Sequence, residues 1–304
     1  MNITNNTDLT GSPMYCKHFG FSEKPFGITP QPQFLYMTPG HREALATLLY
    51  GINERRGFIA MVGDAGTGKT ILLRAAMERL DKTTCSVFIF NSEMAFEQVL
   101  LLMLDELHLL KPNENMNKLQ AVKRLTKFAI KLFARGGNLV IIIDEAQNFS
   151  RQTLENFRLI SNLETNQHKL IQIVLAGQLE LGQKLDAYAL GSFVQRISLK
   201  RYIKPMSRSD TNAYLDHHLT MANYKGPPIF NSRARQLIWQ HSLGVPRKIN
   251  ILCDNALLIA YGMDKKKVVP AIIREAMEDL SFSPPRKKRK TRAWPLAWKN
   301  AARA

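Results

Sequence analysis

The octapeptide Gly63-Asp64-Ala65-Gly66-Thr67-Gly68-Lys69-Thr70 matches the pattern G-x-x-x-x-G-K-[ST] of a phosphate-binding loop. Its glycines let the backbone turn tightly, so that successive N–H groups face phosphate oxygens. The apolar segment 58–62 predicts a buried strand before the loop, and segment 71–77 predicts a helix whose N-terminus faces the anion. We therefore expect phosphates to be bound by Gly63, Asp64, Ala65, Gly66, Thr67, Gly68, Lys69, Thr70 and Ile71.

Two residues of the loop and two residues after a later strand are of the types needed to bind and hydrolyse a nucleotide. Lys69 would place its charge beside the β- and γ-phosphates, and Thr70 would offer a hydroxyl to Mg²⁺. The apolar run 140–143 predicts a buried parallel strand, and Asp144 and Glu145 follow it at the edge where such sheets bind ligands. Asp144 would hold Mg²⁺ through its water shell, while Glu145 would polarise the attacking water. Two adjacent carboxylates with separate roles favour an ATPase over a GTPase.

The composition is that of an ordinary globular protein with an excess of basic residues. The chain has 304 residues, a hydrophobic content of 45% and a net charge of +17. Three widely spaced cysteines predict neither a disulfide framework nor a metal site, and they favour a reducing compartment. We expect Cys85 and Cys253 to be buried packing residues. No stretch reaches 18 apolar residues, so we expect a cytoplasmic protein without a membrane span.

Strands and helices alternate up to about residue 205 and predict a parallel sheet with helices on both faces. The expected strands cover about 58–62, 86–91, 140–143, 170–176 and 197–202. The aromatic and proline-rich segment 15–39 is too irregular for a helix, and we interpret it as an ordered strap over the core, near the adenine site. We predict a disordered leader (1–14), an α/β ATPase core with the strap (15–205), an all-helical lid (206–282) and a disordered basic tail (283–304).

Three more polar residues become candidates once the core is taken for an ATPase. Gln178 follows the fourth strand and could orient the attacking water beside Glu145. Arg196 leads into the fifth strand, and Arg247 begins a lid helix after Pro246, from where it could reach the γ-phosphate. The alternatives are a surface charge for Arg196 and a simple helix-start residue for Arg247.

With these residues in view, the chain resembles AAA+ ATPases. Within that group it is similar to the general secretion protein A (ExeA) family, which includes the MshM ATPases of MSHA-pilus biogenesis. The resemblance covers about residues 15–280, and its motifs are FGFSEKPF (19–26), PGHREAL (39–45), DEAQ (144–147), LISNLET (159–165) and GVPRKIN (244–250).

The resemblance implies roles and partners that the residues alone do not establish. It implies that Gln178 is sensor 1, Arg196 the arginine finger and Arg247 sensor 2, in an ATP-dependent homo-oligomer with active sites between subunits. It also implies an ATPase, with ATP and Mg²⁺ as cofactors, that acts peripherally at the inner membrane on a secretion or pilus component. More distant relatives of the TnsC/TniB kind regulate transposition on DNA.

Three functions therefore stay open at this point. The first is an ATPase that assembles a secretion or type IV pilus apparatus, and the second is a DNA-bound ATPase that licenses a transposase. The third, a nucleotide switch without catalysis, is disfavoured by the presence of Glu145. The last 22 residues carry eight basic residues and no acid, six of them in 286–292, so the tail could bind anionic lipid or DNA, or only aid solubility.

Overall fold

The computed structural model describes residues 14–27, 32–90, 93–111, 114–161, 163–164, 168–186 and 195–280. The leader (1–14) and the basic tail (283–304, with the cluster 286–292), which we predict to be disordered, lie almost entirely outside the described residues. The division into core and lid remains a proposal.

A five-stranded parallel sheet forms the centre of the fold, as the sequence predicted. Its strands are β1 (Phe58–Gly63), β2 (Thr84–Ile89), β3 (Asn138–Ile143), β4 (Ile171–Gly177) and β5 (Ile197–Ile203), in the order β2-β3-β4-β1-β5. The central strands β1, β3 and β4 are buried along their whole length, which explains their unbroken apolar sequences. The edge strands β2 and β5 are only partly buried.

Helices cover the two faces of this sheet. They are α2 (Pro39–Asn53), α3 (Lys69–Met77), α4 (Phe96–Glu106), α5 (Lys118–Ala134), α6 (Arg151–Ser161) and α7 (Leu179–Asp186), with α1 (Met14–Phe19) preceding them. One apolar cluster contains inward side chains of α4, α5 and α6, and a second contains those of α2 and α3. The short helices α1 and α7 were not predicted.

Four helices follow the sheet at the positions that the sequence indicated. These are α8 (Arg208–Met221), α9 (Ser232–Ser242), α10 (Pro246–Gly262) and α11 (Pro270–Asp279). Ser207 caps α8 by accepting a hydrogen bond from the Asp210 N–H, and Asn231 caps α9 in the same way. Their apolar faces share one buried cluster.

The proline-rich strap belongs to this C-terminal cluster, which corrects two expectations. The segment does contain a helix, α1, and a short 3₁₀ turn at Pro32–Phe34. Its aromatic side chains do not pack on the sheet but against α8 to α11, because those helices leave an apolar surface that only aromatic rings of the strap fill. The buried strap residues in this cluster are Tyr15, Cys16, Phe19, Phe21, Phe26 and Phe34.

The cysteines carry free thiols. Cys16 and Cys253 are buried, and burial raises the pKa of both thiols. Cys85 is only half-buried, contrary to expectation, because it lies on the edge strand β2.

Candidate phosphate-binding site

The predicted loop connects β1 to α3 at the carboxyl edge of the sheet. Gly66 and Gly68 have φ of +78° and +96°, conformations that a side chain would strain. A Cβ on Gly63 would lie 2.8 Å from the Ile203 carbonyl oxygen, so β5 leaves no room for one. Asp64 is half-buried and Ala65 exposed, while Thr67 is buried and donates its hydroxyl to the Asp64 carbonyl at 2.7 Å.

Lys69 is buried at the first position of α3. Its Nζ donates to the carbonyl oxygens of Gly63 at 2.8 Å and Asp64 at 2.9 Å, so the side chain curls back along the loop. Burial lowers the pKa of Lys69, although the carboxylates of Glu145 and Asp144, among others, act in the opposite direction. The ammonium therefore lies inside the loop, where its charge is poorly solvated.

Thr70 and Asp144 meet although 74 residues separate them. The Thr70 hydroxyl donates to Asp144 Oδ2 at 2.5 Å, and the other oxygen, Oδ1, accepts the Glu145 N–H at 2.9 Å. Asp144 is buried, with 4% of its surface exposed. Paired hydroxyl and carboxylate oxygens are the donors that Mg²⁺ prefers, so these two residues fit the predicted magnesium site.

Glu145 lies beside this pair in a left-handed conformation, with φ of +52°. Its Oε2 accepts hydrogen bonds from Gln147 Nε2 at 2.6 Å and from Gln178 Nε2 at 3.1 Å. Burial tends to raise the pKa of Glu145, but these two hydrogen bonds and the Lys69 charge outweigh it and hold the pKa below its usual value. The carboxylate is therefore anionic at neutral pH, the form that a base requires.

A cavity of about 380 Å³ opens beside the loop. It is lined by the loop and start of α3, including Lys69, Thr70 and Ile71, by Glu145, by strap residues such as Tyr36, and by Tyr214 of α8. The strap therefore lines the same cavity as the phosphate loop, although its packing partners are the C-terminal helices. Its place near the adenine stays a prediction.

Arg247 reaches the same cavity from the first turn of α10. The Arg247 backbone N–H donates to the Gly66 carbonyl oxygen at 3.3 Å. A Cβ on Gly66 would lie only 2.7 Å from the Arg247 Cβ, so there is no room for a side chain at Gly66. The Arg247 side chain is exposed. The start of α10 thus rests directly on the phosphate loop.

Arg196 lies far from this site within its own chain. It precedes β5, whose first residue pairs with Phe58 at the start of β1, whereas the phosphate loop follows Gly63 at the end of β1. Strands rise about 3.3 Å per residue, so roughly 20 Å of sheet separates Arg196 from the loop. The structure therefore brings Gln178 and Arg247 to the site, but not Arg196.

Two neighbours of the site received no role from the sequence. Gln147 donates to Glu145 and accepts the Gln178 N–H at 2.9 Å, so it joins two of the predicted residues. His41 in α2 contacts the Thr67 carbonyl oxygen at 2.9 Å. Both lie in motifs quoted above, DEAQ and PGHREAL, but nothing in the sequence indicated their partners.

Within the described residues, no helix is both long and apolar enough to cross a membrane. The same part of the chain contains no group of three or more His, Cys, Asp or Glu side chains that could hold a metal ion. A magnesium ion at Thr70 and Asp144 would therefore have few protein ligands, which is common for this cation.

Solved structures with the same fold share little sequence with this chain. Cdc6p from Pyrobaculum aerophilum superposes with a TM-score of 0.63 at 17% identity, over 83% of this chain and 71% of that chain. A chain of Drosophila ORC bound to DNA gives 0.65 at 16% identity, over 93% and 71%. The Walker-type ATPase of Pyrococcus abyssi gives 0.57 at 16%, over 84% and 79%. These likenesses concern the fold alone.

Sequence comparisons give closer relatives. The family model "AAA domain" matches residues 52–185. General secretion pathway protein A of Aeromonas hydrophila is 37% identical over 269 residues, which are 88% of this chain and 49% of that protein. The chain thus spans about half the length of this curated relative. This similarity, the AAA-domain match and the fold together support the assignment of the chain as an ExeA-like AAA protein, similar to general secretion pathway protein A.

Proposed function

We propose that this chain binds ATP with Mg²⁺ and hydrolyses it to ADP and phosphate. One observation carries the proposal: Lys69, Thr70 and Glu145 line the same cavity. Thr70 is hydrogen-bonded to Asp144, and Glu145 to Gln178. Each pair joins residues that are distant in sequence. The first pair has the oxygen ligands that Mg²⁺ needs, and the second has the groups needed to activate and orient a water in phosphoryl transfer.

The geometry supports the following roles. Loop N–H groups and Lys69 would bind the β- and γ-phosphates, and Thr70 and Asp144 would hold Mg²⁺. When bound there, Mg²⁺ supplies positive charge against the phosphate oxygens. Glu145 would accept a hydrogen bond from the attacking water, and Gln178 would orient that water from the adjacent strand end. Arg247 would contact the γ-phosphate.

We also propose that the active site is completed by a second copy of the chain, as an ATP-dependent homo-oligomer. The position of Arg196 supports this, because an arginine about 20 Å from its own phosphate loop could act only on a neighbour's nucleotide. An arginine finger supplied from a neighbour stabilises charge on the transferring phosphate.

For the process served, we propose assembly of a secretion or type IV pilus apparatus at the inner membrane. Support comes from the relative in Aeromonas hydrophila, whose name assigns it to general secretion. The net charge of +17 supports binding to an anionic partner. That charge would equally suit DNA, so regulation of transposition is the alternative.

Two substitutions test the ATPase proposal. Lys69→Ala should weaken ATP binding by roughly tenfold or more, because the phosphates lose a charged hydrogen-bond donor. Glu145→Gln should keep ATP affinity but lower turnover by on the order of 10²-fold, since the shape survives and the base does not. Affinity is measured with a fluorescent ATP analogue and turnover by phosphate release.

The exposed Lys131 of α5 offers a matched control, because Lys131→Ala removes the same charge outside the site. Turnover at the unsubstituted rate in Glu145→Gln would remove that residue from the mechanism. Failure of the unsubstituted chain to bind ATP would overturn the proposed function.

A further inference from the structure

His41 forms a buried link between the start of α2 and the phosphate loop. Only 5% of its surface is exposed. Its Nδ1 lies 3.3 Å from the Thr38 N–H nitrogen and 3.0 Å from Thr38 Oγ1, while its Nε2 lies 2.9 Å from the Thr67 carbonyl oxygen. The imidazole therefore spans from the N-cap of α2 to the loop residue two positions before Lys69.

These neighbours select one tautomer of the ring. The Thr38 N–H is a donor, so Nδ1 must accept, and the Thr67 carbonyl is an acceptor, so Nε2 must carry the proton. Burial lowers the pKa of His41, against the opposing effects of the Thr67 carbonyl and the Asp210 carboxylate, which favours this neutral form. Nε2–H is thus a fixed donor to the loop.

The hydrogen bond to Thr67 has a consequence for the next peptide group. In a trans peptide the C=O of one residue and the N–H of the next point in opposite directions, and none of the described peptide bonds is cis. Holding the Thr67 carbonyl toward His41 therefore directs the Gly68 N–H away from His41.

Thr67 and Gly68 differ in their freedom to rotate. The Thr67 side chain is tied to the Asp64 carbonyl, and its own N–H also donates there, at 3.3 Å. Gly68 has φ of +96° and no Cβ, so glycine itself offers little resistance to rotation of the peptide that precedes it. Rotation would point a carbonyl oxygen where a phosphate needs a donor.

We propose that His41 is a positioning residue that fixes the Thr67–Gly68 peptide so that the Gly68 N–H faces the bound phosphate. The inference rests on the proposed function, because it needs a phosphate in this loop. His41 touches no reacting atom in this proposal and acts only through the peptide that it holds.

Substitutions can separate the hydrogen bond from the packing of the ring. His41→Phe keeps a planar ring but removes the donor, and it should weaken binding of a fluorescent ATP analogue by roughly tenfold. His41→Gln places an amide N–H as far along the side chain as Nε2, and it should restore affinity to within about threefold of the unsubstituted chain.

Thermal unfolding of each variant without nucleotide supplies the control for a merely structural role. Leu45→Val alters a buried residue of the same helix that packs in the apolar cluster with α3 and the sheet. It should lower stability while leaving affinity unchanged. All measurements use the 304-residue chain with Mg²⁺ present.

The possible outcomes are distinct. Recovery in His41→Gln together with loss in His41→Phe supports the inference. Unchanged affinity in His41→Phe, or equal loss in both variants, overturns it. Failure of the unsubstituted chain to bind the analogue overturns the proposed function and this inference with it, so the two failures can be told apart.

Discussion

Glu145 combines an unfavourable backbone with a well-supported side chain. A φ of +52° is uncommon for a residue with a side chain and costs on the order of 1 kcal/mol. Gln147 and Gln178 both donate to one of its oxygens, and Glu145 lines the cavity together with Lys69. In the mechanism proposed above, this strained turn would aim the carboxylate at the attacking water.

His218 shows how burial of a titratable ring would affect stability. Its Nδ1 lies 2.6 Å from the Pro25 carbonyl oxygen, and its ring is flanked by Phe26 and Tyr214. Burial lowers its pKa to about 4, although the Pro25 carbonyl acts in the opposite direction. In the unfolded chain His218 therefore binds a proton near pH 6.5, whereas in the folded chain it binds one only near pH 4.

The sign of the pH effect follows from this difference. Between pH 6.5 and 4 the unfolded state binds more protons, so the free energy of unfolding falls as the pH falls, by at most about 3 kcal/mol from this group. His218→Asn keeps a donor for Pro25 but does not titrate, so its unfolding free energy should depend less steeply on pH. Urea unfolding at pH 7, 6 and 5 measures the slopes.

The exposed His108 provides the composition-matched control, as His108→Asn. An equal slope for the unsubstituted chain and His218→Asn would contradict the assignment of this pH dependence to His218.

The strap is fastened to the C-terminal helices by polar contacts as well as by its rings. The Tyr15 hydroxyl donates to the Asp254 carboxylate in α10, and Lys24 Nζ lies 3.9 Å from the same carboxylate. Asn250 donates to the Gly27 carbonyl at 3.0 Å. Because the cavity lies between the strap, the start of α10 and the phosphate loop, these contacts would fix the width of the nucleotide site.

Phe26 is the strap residue whose loss we expect to matter most for stability. It is fully buried, stacked on His218 and packed against Phe230. Phe26→Ala should lower the unfolding free energy by about 3–5 kcal/mol, because it leaves a cavity in this cluster. Phe90 is 61% exposed, so Phe90→Ala should cost about 1 kcal/mol or less. Urea unfolding measures the unfolding free energies of both variants. A loss in Phe26→Ala as small as the one expected for Phe90→Ala would mean that this strap residue contributes little to stability.

At the scale of the whole molecule, Arg196 lies at the end of the sheet opposite to its own phosphate loop. A mixing experiment tests the role that we propose for this arginine. Arg196→Ala and Lys69→Ala should each be nearly inactive alone, since loss of a finger costs roughly 10³-fold in rate. Mixed, they should regain part of the activity, because an intact site can form between Lys69 of one copy and Arg196 of the other. Phosphate release from mixtures shown to co-assemble measures this.

The two variants mixed separately with unsubstituted chain serve as controls for simple dilution. No recovery in co-assembled mixtures of the two would contradict a role of Arg196 in the neighbour's site.

The net charge of +17 predicts a salt-sensitive interaction with an anionic surface, and eight of the basic residues lie after residue 282. We expect the 304-residue chain to bind anionic vesicles more tightly than a chain ending at Ser283. A blue shift in the fluorescence of Trp294 and Trp298 should accompany vesicle binding, because those rings would enter the bilayer interface. Binding is measured on anionic vesicles and on duplex DNA at two salt concentrations.

Binding to duplex but not to vesicles would favour the transposition alternative. Equal binding by the two chains would mean that the tail contributes nothing and that the remaining basic residues set the affinity for anions.

Local sequence was sufficient where neighbouring residues determine the structure. The phosphate loop could be predicted because its turn, glycines and cation lie within eight residues, and β1, β3 and β4 because strands buried on both faces need unbroken apolar runs. The helix α7 was missed because it has only eight residues and a single residue separates it from β4, which leaves little periodicity to detect. The strap was predicted to be ordered, but its sequence could not indicate which apolar surface it would cover.

The sequence by itself determined the fold class, the phosphate loop and the two carboxylates that follow β3. Gln178 and Arg247 were predicted to join them, but only the tertiary structure decided their contacts, because the strand order β2-β3-β4-β1-β5 differs from the chain order. That order places the ends of β3, β4 and β1 side by side, so Gln178 at the end of β4 meets Glu145 and Gln147, which both follow β3. It also places β5 at an edge, with Arg196 at the far end from the loop. Short-range sequence patterns indicate the conformation of a single segment. Contacts between segments, such as His41 to Thr67, depend on how the segments pack, which those patterns do not contain.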